Sequence, residues 1–478
     1  MGRSRVQVTY WLENAWLGTH AAPGILLTVA DDRIAEVRDR VDHPPAGATA
    51  LRGLTLPGLA NAHSHAFHRA LRGVAQIGAR PDPGTAPGPG TPPGGPAGTG
   101  ARSAPTSFWS WRDVMYDVAG ALDPDSYFAL ARAVYAEMAL AGITCVGEFH
   151  YLHHQPDGTP YADPNAMGEA LIAAAGEAGI RITLLDTAYL HGGFTRTGYR
   201  PLEGVQLRFG DGTADRWYDR WSRLKGEGHA KVGAAVHSVR AFSDRDGYRL
   251  FAERTADVPV HIHLSEQTAE NQACTALHGR TPARLLADNG FWRPNTTAVH
   301  ATHLTAGDIA LLGTGGGTVC MCPTTERDLA DGIGPAPQLR RAGCRMSLGS
   351  DSHAVIDLFE EARAVELNER LQARTRGHWT AAQLLRAATD DGHASLGWPD
   401  AGRLEPGALA DFTTVALDTV RTAGPPPRLA GETAVFAATA ADVRHTVVGG
   451  RHVVRDGRHQ LVQDVPGALA SAIGALRH

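Results

Sequence analysis

Apolar and polar positions follow two different spacings in the middle of the chain, which indicates helices and strands in alternation. Asp123-Pro124 is an N-cap followed by proline, and apolar side chains then recur at helical spacing as far as Met138. Gly142 is placed to close this helix, and the apolar run 143–149 after it is typical of a buried strand. The same patterns predict helices over 168–179 and 282–289 and strands over 181–185, 232–236, 258–262, 297–299 and 345–348. Repeated β-then-α units of this number favour an α/β fold with a parallel (β/α)8 barrel over a doubly wound sheet.

Both ends of the chain have a different pattern, with short alternating runs between turn residues. Strands are predicted there over 24–29, 34–37 and 410–415, with a Gly-Gly hairpin over 447–454. Two strand-rich ends around an alternating middle suggest one small domain assembled from both termini. We therefore expect a composite β-sandwich domain from residues 1–57 and 403–478, and a barrel over 58–402.

One segment of the predicted barrel differs in composition from the rest. Residues 78–106 are nearly all Gly, Pro, Ala and Thr, and such a segment cannot bury enough apolar surface to order itself. We interpret it as a flexible insertion in the loop after the first barrel strand. A lid over a site at the barrel mouth is the alternative interpretation.

Composition and charge exclude several classes of protein. A chain of 478 residues, 43% of them hydrophobic, can bury a large core. Its formal net charge of -5 gives no electrostatic footprint for nucleic acid or for an anionic membrane. Five scattered cysteines are too few for a disulfide framework, and neither an apolar signal segment nor a bilayer-spanning stretch is present. We expect a cytoplasmic protein that acts on a small molecule.

Histidines and one aspartate stand where four predicted strands end. His63 and His65 follow the apolar segment 54–60, and because alternate residues of an extended chain point the same way, both imidazoles face one side. The other three strand ends carry His261 and His263 with Glu266, His300 and His303, and Asp351 with His353. A lone histidine at such a place is usually a core residue. Four such ends share one rim of a barrel, so together they predict a metal centre.

Histidines with one carboxylate define the chemistry that such a centre can support. Three imidazoles and a carboxylate suit a borderline divalent ion such as zinc, with one position open to water. The ion lowers the pKa of that water to near 7 and so generates a nucleophile for an electrophilic carbon. Asp351 can take the proton of the water, Glu266 can carry a proton to a departing nitrogen, and His300 can stabilise the developing charge.

This arrangement resembles the amidohydrolase superfamily over nearly the whole chain, including the composite β domain. The resemblance implies that the metal ligands are His63, His65, His263 and Asp351. It also implies catalytic roles for Glu266, His300 and Asp351. No lysine that could be carbamylated to bridge two metals is evident on the fourth strand, so we expect one divalent ion, zinc.

Within that superfamily, longer stretches resemble the N-formimidoyl-L-glutamate deiminases. They are HSHAFHRALRG (63–73), FWSWRDVMY (108–116), GEFHYLHH (147–154), VHSVRA (236–241), HLSEQTAEN (263–271), VHATHL (299–304), CPTTERDLADGI (322–333) and GSDSH (349–353). The resemblance implies hydrolysis of N-formimidoyl-L-glutamate to N-formyl-L-glutamate and ammonia in histidine degradation, and it implies a homodimer.

The substrate of these deiminases has two carboxylates and one amidine-like head, so its pocket should offer cations. The resemblance assigns substrate binding to His68, Arg112, Tyr151, His237 and Arg240. Each arginine can fork onto a carboxylate through paired N–H donors. The alternative for both arginines is a solvated loop position.

Two positions depart from the pattern of these deiminases. His68 stands where they usually have Gln, and Ala330 stands where they have Gly. Both departures affect the expected identity of the substrate more than the expected type of reaction. Two other functions therefore stay open, namely a deaminase of a guanine- or pterin-like heterocycle and a metal-bearing barrel without catalytic activity.

Overall fold

The computed structural model describes residues 7–74 and 108–476, and its first four strands belong to a sheet outside the barrel. They are β1 (Gln7–Trp16), β2 (Ala21–Ala30), β3 (Arg33–Arg38) and β4 (Thr49–Pro57). β1 pairs antiparallel with β2 and parallel with β4. The predicted strands at 24–29 and 34–37 are confirmed as parts of β2 and β3. The predicted insertion at 78–106 lies outside the described residues.

Eight parallel strands form the second sheet, and they neighbour one another in chain order. They are β5 (Leu59–Ser64), β6 (Ile143–His150), β7 (Arg181–Ala188), β10 (Ala230–Val236), β11 (Val260–Leu264), β12 (Thr296–His300), β13 (Thr318–Met321) and β14 (Arg345–Leu348). The short hairpin of β8 (Phe194–Thr195) and β9 (Gly198–Tyr199) follows β7. Every residue of β5, β6 and β7 is buried, as expected of strands covered on both faces.

The first and last strands of this sheet meet just beyond β14. Ser64 and Asp351 form an isolated parallel bridge. The N–H of Asp351 donates to the carbonyl of His63 at 3.1 Å, and the N–H of His65 donates to the carbonyl of Asp351 at 3.4 Å. This contact closes the barrel, and the predicted (β/α)8 fold is confirmed.

Fifteen α-helices surround or extend the two sheets within the described residues. They are α1 (Phe108–Ala121), α2 (Pro124–Leu140), α3 (Ala166–Ala178), α4 (Ala214–Trp221), α5 (Tyr248–Arg254), α6 (Thr268–His278), α7 (Pro282–Asp288), α8 (Ala306–Gly315), α9 (Pro323–Asp328), α10 (Ala336–Arg341), α11 (Leu358–Ala373), α12 (Ala381–Ala388), α13 (Asp390–Ser395), α14 (Ala430–Phe436) and α15 (Val465–Ala475). Asp123 caps α2 as predicted, since its side chain accepts from the N–H of Ser126 at 2.8 Å. No helix among those described is both long and apolar enough to cross a membrane.

Four strands from the C-terminal part complete the first sheet. They are β15 (Phe412–Val415), β16 (Val443–Val448), β17 (Arg451–Arg455) and β18 (Arg458–His459). β16 and β17 form the predicted hairpin around Gly449-Gly450. The inward side chains of this sheet form a core of their own, as expected of a separate layer. α15 packs on α2 of the barrel, and the boundaries at 57 and 403 stay a prediction.

Candidate active site and metal centre

Three imidazoles and one carboxylate converge at the C-terminal ends of β5, β11 and β14. Nε2 of His263 lies 3.1 Å from Nε2 of His63. Oδ1 of Asp351 lies 3.3 Å from Nε2 of His63 and 3.4 Å from Nε2 of His65. All four side chains are buried, and their ligand atoms lie within 4.8 Å of one another. The structure therefore brings the four predicted metal ligands together.

Backbone carbonyls fix the ring orientation of two of these histidines. Nδ1 of His65 donates to the carbonyl of Phe149 and Nδ1 of His263 to that of His237, each at 2.9 Å. The proton on Nδ1 leaves a lone pair on the Nε2 that faces the cluster. Burial lowers the pKa of His65 to about 3 and that of His263 well below its usual range, and it also lowers the pKa of His63. Neutral imidazoles whose lone pairs face one another repel unless a cation lies among them, so this donor set fits a divalent metal ion.

A glycine at position 349 allows β14 to approach β5 closely. A Cβ atom on Gly349 would lie 2.7 Å from Cβ of His63 and 3.0 Å from its backbone nitrogen. Any side chain there would push His63 away from the cluster, so the position of this ligand requires glycine.

Five non-glycine residues at this rim have left-handed backbone conformations, and three of them carry or adjoin side chains of the site. The φ angles are +51° at Ser265, +66° at His300 and +41° at Asp351. Such conformations cost on the order of 1–3 kcal/mol each, so the surrounding structure must hold them in place. Ser265 lies between His263 and Glu266, and its turn lets both of these side chains face the cavity.

Three carboxylates enclose His300. Its Nε2 lies 3.8 Å from Glu266 and 3.7 Å from Asp351, and its Nδ1 lies 3.5 Å from Glu326. Burial alone would lower the pKa of His300, but these carboxylates raise it to about 10. Burial opposes ionisation of Asp351, yet His63 and His300 hold its pKa below the usual range. The three residues predicted to be catalytic thus lie side by side.

Three of the predicted histidines lie within strands rather than after them, while His65 follows β5. His63 belongs to β5, His263 to β11, and His300 is the last residue of β12, whereas Asp351 follows β14 as expected. Barrel side chains that point inward near the rim face the site rather than the apolar core. A polar residue that resembles a strand end in the sequence can therefore still belong to the strand.

A cavity of about 340 Å³ opens onto the cluster. It contains His65, His263, His300, Glu266 and Asp351 in its lining. The five residues predicted to bind substrate also line it, namely His68, Arg112, Tyr151, His237 and Arg240. Because the cavity size is that of a small-molecule site, the structure brings the metal centre and the predicted substrate contacts into one pocket.

His68 and Tyr151 contact each other beside the cluster. Nε2 of His68 lies 3.2 Å from the hydroxyl of Tyr151, and its ring centroid lies 4.5 Å from that of His65 and 5.0 Å from that of Trp111. Burial lowers the pKa of His68 well below its usual range, so its imidazole is neutral. Nδ1 of His68 has no hydrogen-bond partner within the described part of the chain, and it can bond to a bound molecule.

Arg240 is held by two glutamates of the β11–α6 segment. Its Nε lies 2.9 Å from Glu270, and its Nη2 lies 3.7 Å from Glu266. Burial opposes the charge of Arg240, but both carboxylates raise its pKa. Glu270 also accepts from the N–H of Ser265 at 3.0 Å. These contacts fix the position of the Arg240 guanidinium relative to Glu266, the residue that is predicted to carry a proton.

Arg208 ties the helix that carries Arg112 to the rest of the site. Its side chain is fully buried and donates to the carbonyls of Ala119, His154 and Leu122. Ala119 and Leu122 lie in the last turn of α1 and just beyond it, where carbonyls lack helical partners. Arg208 therefore fixes the end of α1 against the loop after β6.

A second buried group of possible ligands lies outside the cavity. It consists of His150, His153 and Asp186, whose ligand atoms also lie within 4.8 Å of one another. Both oxygens of Asp186 accept from Arg220, each at 2.8 Å. Because a guanidinium already neutralises this carboxylate, we interpret the group as a structural ion pair. Neither His153 nor His154 belongs to the group of His63, His65, His263 and Asp351.

Several residues of the site escaped the sequence analysis. Those that line the cavity are Trp111, Met115, Tyr116, Tyr189, Phe194, Arg200, Phe209 and Glu270. Glu326, which contacts His300, was also missed. The stretches that resemble the deiminases include Glu270, Glu326 and the three α1 residues. That resemblance could have indicated that these residues belong to the site. Tyr189, Phe194, Arg200 and Phe209 lie outside those stretches and carried no signal.

Comparisons with known proteins agree with this geometry. The profile of the amidohydrolase family matches residues 54–453. Formimidoylglutamate deiminase of Pseudomonas aeruginosa is 36% identical over 80% of each chain, and 8-oxoguanine deaminase of the same species is 29% identical over 85% of this chain and 84% of its own. The crystal structure of an amidohydrolase from Brucella melitensis superimposes with a TM-score of 0.85 at 30% identity, covering 98% of this chain and all of that one.

The fold, the buried histidine and aspartate cluster and the family match point to the same conclusion. The match covers all eight barrel strands and, in the terminal sheet, β15, β16 and parts of β4 and β17. The chain belongs to the amidohydrolase family, and it is a hydrolase that acts on carbon–nitrogen bonds.

Proposed function

We propose that the protein is a deiminase that hydrolyses N-formimidoyl-L-glutamate to N-formyl-L-glutamate and ammonia, a step of histidine degradation. One observation carries the proposal: a single cavity combines a buried cluster of metal-ligand type with arginines in its wall. Such a cavity suits a molecule with a hydrolysable head and anionic groups. The 36% identity to the deiminase of Pseudomonas aeruginosa supports the same substrate.

One zinc ion is the proposed cofactor. His63, His65, His263 and Asp351 would hold it, because their ligand atoms face a single point. When bound there, the ion would lower the pKa of a water molecule and so supply the nucleophile of the hydrolysis.

The side chains around the cluster have distinct tasks in this proposal. Asp351 accepts a proton from the attacking water while the new C–O bond forms and the C=N π bond breaks. His300, positively charged among its three carboxylates, stabilises the developing charge. Glu266 delivers a proton to the departing nitrogen. The hydroxyl proton of the tetrahedral adduct then passes to the same nitrogen, the C–O bond becomes a carbonyl as the C–N bond breaks, and ammonia leaves with both protons of the water.

The substrate carboxylates would lie away from the cluster. Arg112 and Arg240 line the same cavity and can each form paired hydrogen bonds with a carboxylate. Tyr151, His237 and His68 line the cavity with their rings beside those of His65 and His263, and they can bond to the rest of the substrate. The orientation of the amidine head toward the cluster follows from this arrangement.

Ammonia release from N-formimidoyl-L-glutamate tests the proposal directly. We expect turnover by the zinc-loaded enzyme, at least a hundredfold loss in Glu266→Gln, and a strong rise in KM in Arg240→Ala. Absence of turnover by an enzyme shown to contain metal would refute the proposed substrate.

A heterocyclic substrate is the second candidate. The 29% identity to 8-oxoguanine deaminase and the aromatic lining of the cavity favour it. A panel of aminopurines and aminopterins, assayed for ammonia release beside N-formimidoyl-L-glutamate, separates the two candidates. Arg240→Ala should raise KM for the dicarboxylate far more than for a heterocycle, whereas any loss of kcat through Glu266, which Arg240 contacts, should be common to both reactions.

The homodimer and the cytoplasmic location stay predictions. Both rest on resemblance and on composition. Sedimentation of the purified chain would test the first, and fractionation of cells that express it would test the second.

A further inference from the structure

Three arginines line the cavity, but their charges are not equally available. They are Arg112, Arg200 and Arg240. Arg240 already contacts Glu270 at 2.9 Å and Glu266 at 3.7 Å, and both of these glutamates are buried. A large part of its charge is therefore compensated before any ligand binds.

Arg200 has a different environment from Arg240. It is exposed, and within the described ranges no carboxylate lies at ion-pair distance from its guanidinium. The cluster residues that line the same cavity, His65, His263 and Asp351, are buried. Arg200 therefore marks the solvent end of the cavity, where its charge is available to an incoming anion.

The backbone around Arg200 is held in place. Its N–H donates to the carbonyl of Gly193 at 2.8 Å, and its own carbonyl accepts from Gly192 at 2.9 Å. The hydroxyl of the preceding Tyr199 donates to the carbonyl of Val239 at 3.1 Å. These bonds join the β8–β9 hairpin to the segment that carries Arg240, so the backbone at Arg200 is held in place relative to that segment.

We infer that Arg200 is a specificity-determining residue that binds one of the two substrate carboxylates at the mouth of the cavity. The inference rests on the proposed function, and it adds a cation that the sequence patterns do not indicate. A dicarboxylate can bind both Arg200 and one of the other two arginines of the cavity, whereas a monocarboxylate can bind only one of them. Because Arg200 is exposed, its attraction for a substrate carboxylate should weaken as the salt concentration rises.

Arg200→Gln tests this inference, with Arg196→Gln as the matched control. Arg196 is an exposed arginine of the same hairpin that does not line the cavity. The substrates are N-formimidoyl-L-glutamate and two analogues that each lack one carboxylate. We expect Arg200→Gln to lower kcat/KM about three- to tenfold for the dicarboxylate and for one analogue, and less than twofold for the other. Arg196→Gln should change none of them more than twofold.

An equal effect of Arg200→Gln on all three substrates, or no effect on any, would overturn the inference. So would an equal effect of Arg196→Gln. Binding of glutarate and butyrate to the metal-loaded enzyme, measured by calorimetry, gives a readout that does not need turnover. If the wild type fails to deiminate N-formimidoyl-L-glutamate, the proposed function fails, while selective loss of glutarate binding in Arg200→Gln would still support the role of Arg200.

Discussion

The backbone N–H of Asp351 donates to the carbonyl of His63 at 3.1 Å, while Oδ1 of Asp351 lies 3.3 Å from Nε2 of His63. The same pair of residues thus joins the last barrel strand to the first and supplies two of the four proposed metal ligands. We therefore expect loading of the proposed metal site to be coupled to closure of the barrel.

Removal of the metal should destabilise the whole barrel. With zinc in hundredfold excess over its Kd, the bound ion contributes about 3 kcal/mol to the free energy of unfolding, and a chelator should abolish this gain. His263→Ala should lose both the metal and the gain, as seen by elemental analysis and thermal unfolding. His43→Ala, at an exposed histidine, is the control. A chelated enzyme with an unchanged Tm would contradict the coupling.

Glu326→Gln should lower kcat about tenfold with little change in KM. Glu326 contacts Nδ1 of His300, and its removal weakens both the orientation and the charge of that imidazole in the transition state. Steady-state kinetics measure the split between the two constants. Glu227→Gln, at an exposed position, should behave as the wild type. A rise in KM with unchanged kcat would indicate that Glu326 serves substrate binding instead.

Arg208→Met should cost about 3 kcal/mol of stability, because three buried carbonyls lose their donor. The side chain of Arg208 is fully buried and donates to Ala119, Leu122 and His154. Chemical denaturation measures the loss. Arg216→Met, at an exposed arginine of α4, should change stability by less than about 0.5 kcal/mol. Equal effects of the two variants would argue against the bonding seen at Arg208.

Ala330→Gly should raise the free energy of unfolding by about 1 kcal/mol, since the Cβ atom of a non-glycine residue destabilises the left-handed backbone conformation by about this amount. Ala330 follows α9 with φ +58° and is exposed, so its methyl group contributes little packing. Ala256→Gly, at an exposed position with negative φ, should give no gain. Thermal unfolding of both variants checks the difference, and a gain at 256 alone would refute the argument.

Acid should remove the contribution that Asp442 makes to the free energy of unfolding. Burial opposes its ionisation, but Arg421, Thr419 and the N–H of Thr439 lower its pKa to about 2. Since the folded-state pKa lies below the unfolded value, the stabilisation is present above about pH 4 and is lost as the pH falls toward 2. Asp442→Asn should be about 1–2 kcal/mol less stable at pH 6, and this gap should narrow as the pH falls from 4 to 2. A gap that stays constant with pH would contradict the assignment.

The barrel could be predicted because its strands are buried on both faces and appear as apolar runs. β14 was predicted with its observed bounds, but β13, only four residues long after a glycine-rich helix end, was not predicted as a separate strand. The four proposed ligands could be located because each stands at a strand end. That His63, His263 and His300 belong to β5, β11 and β12 could not be predicted, since an inward polar residue resembles a strand end in the sequence.

The supporting residues could not be predicted because their partners are distant in the chain. Arg208 contacts the end of α1 almost ninety positions earlier, and Glu326 contacts His300 across two elements. Neither contact follows from local spacing. Arg200 lies on a hairpin whose pattern is that of an ordinary surface turn, so only the folded chain reveals that it faces the cavity.

The left-handed residues at the rim set a limit for anyone who redesigns this enzyme for heat resistance. Glycine at Ser265 would relieve the backbone, but it would also give new freedom to the segment that aims His263 and Glu266. Glycine at His300 or Asp351 would remove a side chain to which we assign a catalytic role. Substitutions that raise thermal stability should therefore be sought in the terminal sheet and the outer helices, and the left-handed residues of the rim should be left unchanged.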